Sequence, residues 1–350
     1  MKHQSKYLYA PQTQIKQAGF SLVELMVGLV IGLLASLAIM QAFSAFEGQK
    51  RSTSGSSDAQ TNGTIALASI QRDAQSAGFG LALPVADPDN NALKCDAIAD
   101  FNGTNVFPVV ITDGTSDTIM VRYSTTALGA VPVEIKNVSN ATDGTQVVNN
   151  IGCNANDLAL IMNGASCKLT TVASTFSAAP KGGNYFVKLD AAAGAPLLTG
   201  AKLACMGDWT NYTYQVVSSK LQRNNLPLVS EVVTMQAQYG VSDVASNNQV
   251  TQWVDAKGSW LTPTVADRNR IKAIRVAVVV RNGLLEKTNV TETCASGDPT
   301  LCTWTDKDAP VISLSSITNW QQYRYRTFKT IIPLRNMLWS RCGITGATCS

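Results

Sequence analysis

Glu24 carries the most demanding chemistry in this chain of 350 residues. It is the only charge between Phe20 and Phe46. A carboxylate in such an apolar stretch costs on the order of 2.5–3.5 kcal/mol at the middle of a bilayer, and less near an interface, so it calls for a cationic partner. Other reactive groups are sparse. The only histidine is His3. The eight cysteines, Cys95, Cys153, Cys167, Cys205, Cys294, Cys302, Cys342 and Cys349, include no Cys-x-x-Cys pair. That speaks against zinc ribbons and thioredoxin-like redox sites. No phosphate-cradling glycine loop of the Walker type is present. These gaps argue against an enzyme.

The element that must position Glu24 is a helix. Residues 25–46, all uncharged, would span roughly 30 Å, enough for a bilayer core. Lys2, Lys6 and Lys16 lie before it with no acidic residue among them. The positive-inside bias puts residues 1–19 in the cytoplasm and the bulk of the chain outside. A membrane segment followed by an even set of cysteines suggests an oxidising compartment. Three readings compete. A secretory signal has a shorter apolar core, of about 7–15 residues, and Ala42-Phe43-Ser44 is a poor small-x-small site. An ordinary anchor leaves Glu24 unexplained. The third reading rests on a resemblance.

Lys16-Gln17-Ala18-Gly19-Phe20-Ser21-Leu22-Val23-Glu24 resembles the prepilin-peptidase site of type IV pilins and pseudopilins. The resemblance implies cleavage after Gly19, N-methylation of the new terminus Phe20, and an assembly role for Glu24 as the fifth mature residue. Cleavage creates an α-amino cation at Phe20, which Glu24 of the same or a neighbouring subunit can neutralise inside a low-dielectric bundle. A glutamate in the first turn also suits the helix dipole. Losing Lys2, Lys6 and Lys16 from 28 basic residues leaves 25 against 24 acidic ones. A near-neutral mature chain, then without histidine, weakens any global polyanion-binding reading. Gly28 and Gly32 form a Gly-x-x-x-Gly pair with Ala35 and Ser36 a turn onward. They read as a close helix contact, or simply as the glycine common in membrane helices.

The organisation that follows is α+β and type IV pilin-like. A leader covers 1–19, a membrane-spanning half-helix 20–46 and an amphipathic half 47–78. A β-rich, disulfide-bearing periplasmic head covers 79–350. No proline occurs between Pro11 and Pro84, so one helix is expected from about 20 to 77, ending near Gly78 and Gly80. Ala59, Asn62, Ala66, Ile70, Ala74 and Ala77 recur at helical spacing, while residues 51–57 (RSTSGSS) are poor helix formers and read as a weak or melted point. Beyond Pro84, strands are predicted over 106–112, 118–123, 158–162, 185–189, 212–217, 271–281 and 323–332. Residues 226–240 are expected to start as a helical turn and end as a strand.

SEVVTMQAQYGV, the pair Trp253 and Trp260, IKAIRVAVVVRN and YRYRTFKTIIPLRNMLW resemble the PilW family of minor type IV pilins, as does QRDAQSAGFG at 71–80. The resemblance implies a pilin-like fold and a minor pilin that primes pilus assembly and sits at or near the tip. Implied partners are other minor pilins, the major pilin, a large tip adhesin, the prepilin peptidase and the inner membrane. A type II secretion pseudopilin is the nearest rival. A tip subunit that binds DNA or a surface is another.

Short spacing favours disulfides Cys294–Cys302, Cys342–Cys349 and Cys153–Cys167 in that order, with Cys95–Cys205 remaining. Free buried thiols are the alternative. Arg324, Arg326, Lys329, Arg335 and Arg341 interleave with Tyr323, Tyr325 and Phe328, giving a candidate basic surface for DNA. A strand with alternate residues in solvent is the preferred reading, and nucleic acid is not favoured as a partner. Asp87, Asp89, Asn90 and Asn91, or Asp298, Asp306 and Asp308, could hold calcium. Neither set has EF-hand spacing, so solvated loops are preferred, with no metal and no cofactor expected. The tryptophans Trp209, Trp253, Trp260, Trp304, Trp320 and Trp339 read as core or interface rather than as a carbohydrate site.

Overall fold

The structure is a computed structural model, which describes residues 19, 21–81, 107–126, 130–138, 144–163, 166–190, 199–294 and 298–339. The chain separates into two units, Met1–Ser54 and Gly55–Ser350. Helix α1 (Leu22–Ser76) supplies residues to both.

Residues 51–57 are helical, not melted. Thr53 Oγ1 bonds back to the Gln49 carbonyl at 2.9 Å, and Gly55 is buried against Asn282. Tertiary contact offsets the poor helix propensity there. α1 stops where expected: Gly78 and Gly80 take φ values of +77° and +75°, which glycine adopts without strain.

The strands in chain order are β1 (Val109–Thr112), β2 (Thr118–Ser124), β3 (Val133–Asn137), β4 (Thr145–Val147), β5 (Leu158–Asn163), β6 (Ser166–Thr171), β7 (Tyr185–Val187), β8 (Lys202–Gly207), β9 (Trp209–Val217), β10 (Lys220–Arg223), β11 (Leu226–Ser230), β12 (Val232–Val241), β13 (Gln252–Val254), β14 (Ile271–Arg281), β15 (Thr300–Leu301), β16 (Ile312–Ser313) and β17 (Tyr325–Pro333). Short helices α2 (Val265–Arg270) and α3 (Arg335–Trp339) flank β14 and follow β17. All seven predicted strand regions contain strands. The helical turn expected at 226 is absent. Glu231 takes φ +58° and splits the segment into β11 and β12 instead.

The four-stranded antiparallel sheet β13-β12-β14-β17 and the five-stranded sheet β1-β2-β9-β10-β11 share one core with the second half of α1. Its buried members include Ala59, Ala66, Ile70 and Ala74 of the helix, Ala77 just past its end, Ile119 and Tyr214 of one sheet, and Val276, Val278 and Ile332 of the other. β14 is buried along both faces, because Ala277 and Val279 pack beneath Ile312, Leu301 and Trp304. Removing two apolar faces from water makes this strand the best-anchored segment of the head.

β2 and β9 are paired neighbours, Ser124 opposite Trp209. The chain between them folds as a separate six-stranded sheet, β6-β5-β8-β3-β4-β7. Its outermost strands meet through the bridge Val172↔Leu189, so the sheet curls around an apolar interior of Val133, Ile135, Ile161, Val187 and Leu203. Cys153 is bonded to Cys205 there, with Cα atoms 5.1 Å apart. That excludes both Cys153–Cys167 and Cys95–Cys205. Nearness in sequence misled because Cys167 lies on β6, on the far side of β5 from the strand that holds Cys205. Cys294 is bonded to Cys302. Cys95, Cys342 and Cys349 lie outside the described residues.

Candidate assembly surface

The first unit holds the residues that the sequence singled out. Gly19 is exposed, and Leu25 N–H donates to the Ser21 carbonyl at 3.1 Å, closing the first turn. Glu24 lies in that turn and is exposed. Phe20 lies outside the described residues. Every described residue from 21 to 50 is exposed, including Leu22 at 75%, Ile31 at 61%, Met40 at 77% and Phe43 at 72%. Covering each large apolar side chain is worth roughly 1.5–3 kcal/mol, so the helix stores tens of kcal/mol for whatever surrounds it. The helix is long and apolar enough to cross a membrane. Around Gly28 and Gly32 nothing stands within 4 Å of where a Cβ would sit, leaving a smooth strip for close approach.

From Gly55 onward the helix is a docking element of the head. Its buried stripe runs Gly55, Ala59, Gly63, Ala66, Ile70, Asp73, Ala74 and Ala77, at helical spacing. A Cβ on Gly63 would enter the Phe328 ring. Sequence reasoning found the alanines but missed both glycines.

The stripe also carries an unforeseen buried carboxylate. Asp73 is 1% exposed. It accepts the Tyr214 hydroxyl at 2.6 Å and Arg223 Nε at 2.8 Å. Tyr123 donates from 3.4 Å. Arg223 also lies over the Tyr212 ring, 3.7 Å from its centroid. Burial, then the Asp73 charge, pushes the Tyr123 hydroxyl up to about 12 and raises Tyr214 further. Both phenols therefore stay protonated and remain donors. At the helix end, Asn336 Nδ2 donates to the carbonyls of Gln75, Ser76 and Ala77 at 3.4, 3.3 and 3.1 Å. These are carbonyls that a terminating helix leaves without intrahelical partners.

Of the basic run at and before β17, Arg326 joins the same contact, whereas Arg324 and Lys329 are held elsewhere on the head. Arg324 Nε donates to Glu286 at 2.9 Å. Arg326 reaches Gln60 at 2.8 Å and Ser56 at 2.9 Å on α1. Lys329 Nζ donates to the Thr303 carbonyl at 2.5 Å. Phe328 packs on the helix, Tyr325 on the opposite face of the sheet. The aromatic residues are therefore spent on packing rather than held as a row for stacking bases. Arg341 lies outside the described residues.

Of the acidic clusters, Asp306 is engaged by Arg275 in a two-point pair at 2.7 and 3.0 Å, and the Asp308 carbonyl accepts from the same guanidinium at 2.9 Å. Arg275 is wedged between Trp253 and Trp304, 4.9 and 4.6 Å from their centroids. Its hydrogen bonds, foremost, hold the Asp306 carboxyl below its usual range. Asp306 through its carboxylate and Asp308 through its backbone carbonyl thus clamp a loop over β14, in a segment that the sequence read as a solvated loop. Asp87 and Asp89 lie outside the described residues. Among the described residues no group of three or more His, Cys, Asp or Glu side chains could hold a metal. Trp209 packs on the six-stranded sheet and Trp260 against the main core.

Two family models match the chain. Residues 15–40 match the prokaryotic N-terminal methylation motif, a segment that includes Gly19 and Glu24. Residues 184–336 match Type IV Pilus-assembly protein W, from β7 through the first residues of α3. The two partial matches together liken the chain to a PilW-type pilin with a prepilin cleavage and methylation motif. No curated protein matches the chain, and neither does any solved structure.

Proposed function

We propose that this chain, a PilW-like pilin associated with type IV pili, is a minor pilin that co-assembles with other minor pilins to prime the filament and stays at or near its tip. The observation that carries the reading is the bare apolar helix that starts three residues after Gly19 of the methylation motif and holds a single carboxylate in its first turn. In this reading, prepilin peptidase cuts after Gly19 and Phe20 is methylated. The inner membrane then covers residues 20–46, with the head in the periplasm. During assembly the same helix moves from lipid into a bundle of sister helices. The apolar burial is similar in both settings, so transfer is cheap. Glu24 then selects the partner by pairing with an α-amino group in low dielectric. Gly28 and Gly32 allow the close approach that brings the two together. Other minor pilins, the major pilin and a large tip adhesin are the expected neighbours.

Amino-terminal sequencing of the mature protein tests the processing step: the reading requires a start at N-methyl-Phe20, and a start after Ser44 overturns it. A Glu24→Val variant tests the pairing. It should accumulate as a folded membrane protein yet fail to enter filaments, and normal piliation by that variant would refute the role. Loss of protein secretion with intact pili on deletion would instead identify a type II secretion pseudopilin.

A further inference from the structure

β17 is the outermost strand of the four-stranded sheet, and the parity of its pairing shows which backbone groups remain open. Asn282 N–H donates to the Arg324 carbonyl and Leu334 N–H to the Lys272 carbonyl, at 2.9 and 3.0 Å. The register between these two bonds is unbroken, from Arg281↔Tyr325 to Ala273↔Pro333. In an antiparallel ladder hydrogen-bonded positions alternate, so the even-numbered residues of β17 bond to β14. The N–H and C=O groups of Tyr325, Thr327, Lys329 and Ile331 then point away from the sheet, and among the described residues no strand pairs with them.

This edge differs from the others. β13 and β7 have three residues, β1 has four and β6 has six. β11 has five, with Pro227 within it and a register shift beside it. β17 runs nine residues without a bulge. Natural sheets guard such an edge with charges that lie across it. Here the charges are drawn aside: Lys329 to the Thr303 carbonyl on one face, Arg326 to Gln60 and Ser56 on the other. Both hold neutral oxygens, and neither has a carboxylate partner among the described residues. Ile331 is 54% exposed beside them.

We propose that the open edge of β17 is a docking edge for an extended acidic strand of another protein, which extends the sheet to five strands. Main-chain bonds to the four outward residues supply affinity, and carboxylates on both faces of the incoming strand meet Arg326 and Lys329. A second copy of this chain is a poor occupant. Antiparallel self-pairing centred on Lys329 sets two lysines opposite each other with no acid on either strand, a repulsive arrangement. The edge belongs to the head alone, so the inference stands apart from how the amino-terminal helix is used.

The test takes the full chain in detergent and a nine-residue peptide of alternating threonine, valine and glutamate. The acidic peptide should bind and slow amide exchange at Thr327, Lys329 and Ile331. N-methylating its alternate amides should weaken binding at least about tenfold, as should Thr327→Pro, which removes one outward N–H on an edge where proline is tolerated. Arg326→Gln with Lys329→Gln should weaken binding severalfold and flatten its salt dependence. The proposal fails if these amides are already protected in the free protein. It also fails if the N-methylated peptide or a lysine analogue binds as tightly as the acidic one. Because the peptide comparison leaves the protein unaltered, it decides the matter even if Thr327→Pro disturbs folding.

Discussion

The Tyr214 hydroxyl donates a 2.6 Å hydrogen bond to Asp73 across 141 residues of sequence, joining the fourth-to-last residue of the long helix to the middle of the five-stranded sheet. Arg223 supplies the countercharge from the next strand. One carboxylate thus fixes both the rotation and the height of the helix on the head.

Replacing Asp73 by alanine takes this acceptor from the partly exposed Arg223 guanidinium and the Tyr123 hydroxyl, while the Tyr214 hydroxyl keeps the Ser69 carbonyl at 3.0 Å. Removing one partner of such a network costs about 1–3 kcal/mol, since Arg223 keeps access to water. Urea unfolding of the full chain in detergent should show that loss, with Asp73→Asn falling between the two. A change below about 1 kcal/mol would mean that the network adds no stability.

Gly63→Ala puts a methyl group into the space held by the Phe328 ring. Overpacking of this kind costs about 1–3 kcal/mol. Phe328→Leu should recover part of it. A double-mutant cycle measures the coupling, and strictly additive effects would show that helix and ring do not compete for that space.

Asp117 supplies a pH signature. Burial, the largest cause, pushes its carboxyl up to about 6, even though it accepts N–H bonds from Ala237 and Gly114; Asp113 and Asp255 add to the rise. Its folded-state affinity for a proton therefore exceeds that of the unfolded chain, near 3.8. Between those values the native state binds more protons, so this group's contribution to stability falls as pH rises from about 4 to 6. The total is about 2–3 kcal/mol. Asp117→Asn should remove that slope, read as the difference between the two stability–pH curves. Parallel curves would place the titration elsewhere.

Cys153–Cys205 closes a loop with a sequence separation of 52. A non-reducing digest should yield the two cysteines in one linked fragment and no Cys153–Cys167 species. Serine at both positions should cost roughly 2–4 kcal/mol, read first as faster amide exchange in β5 and β8 while β14 stays protected.

Legibility in the sequence followed the range of the interactions. The apolar run behind Glu24 and the pattern IKAIRVAVVVR are local, and both became the elements that their periodicity predicts. Asp73 was invisible because QRDAQ reads as a solvated turn of helix, and its partners Tyr214 and Arg223 stand 141 and 150 residues away. Gly55 sat unremarked in a run of poor helix formers and Gly63 gave no signal, because the side chains that need their space come from Asn282 and Phe328. Of the inserted sheet, β5 and β7 were predicted, whereas β3, β4, β6 and β8 were not. β4 is three residues long, too short for alternation to register. Glu231 shows the opposite failure: a single left-handed residue turned one predicted unit into two strands.

Ser124 and Trp209, opposite each other on β2 and β9, are the doorway through which the chain leaves for the curled sheet and returns. Because exit and entry are neighbours in one ladder, a tight turn could replace the whole excursion and leave a plain hairpin. The fold therefore has a cassette position. Replacing residues 125–208 by such a turn would leave the pairing of β2 with β9, and with it the seat of the helix, in register.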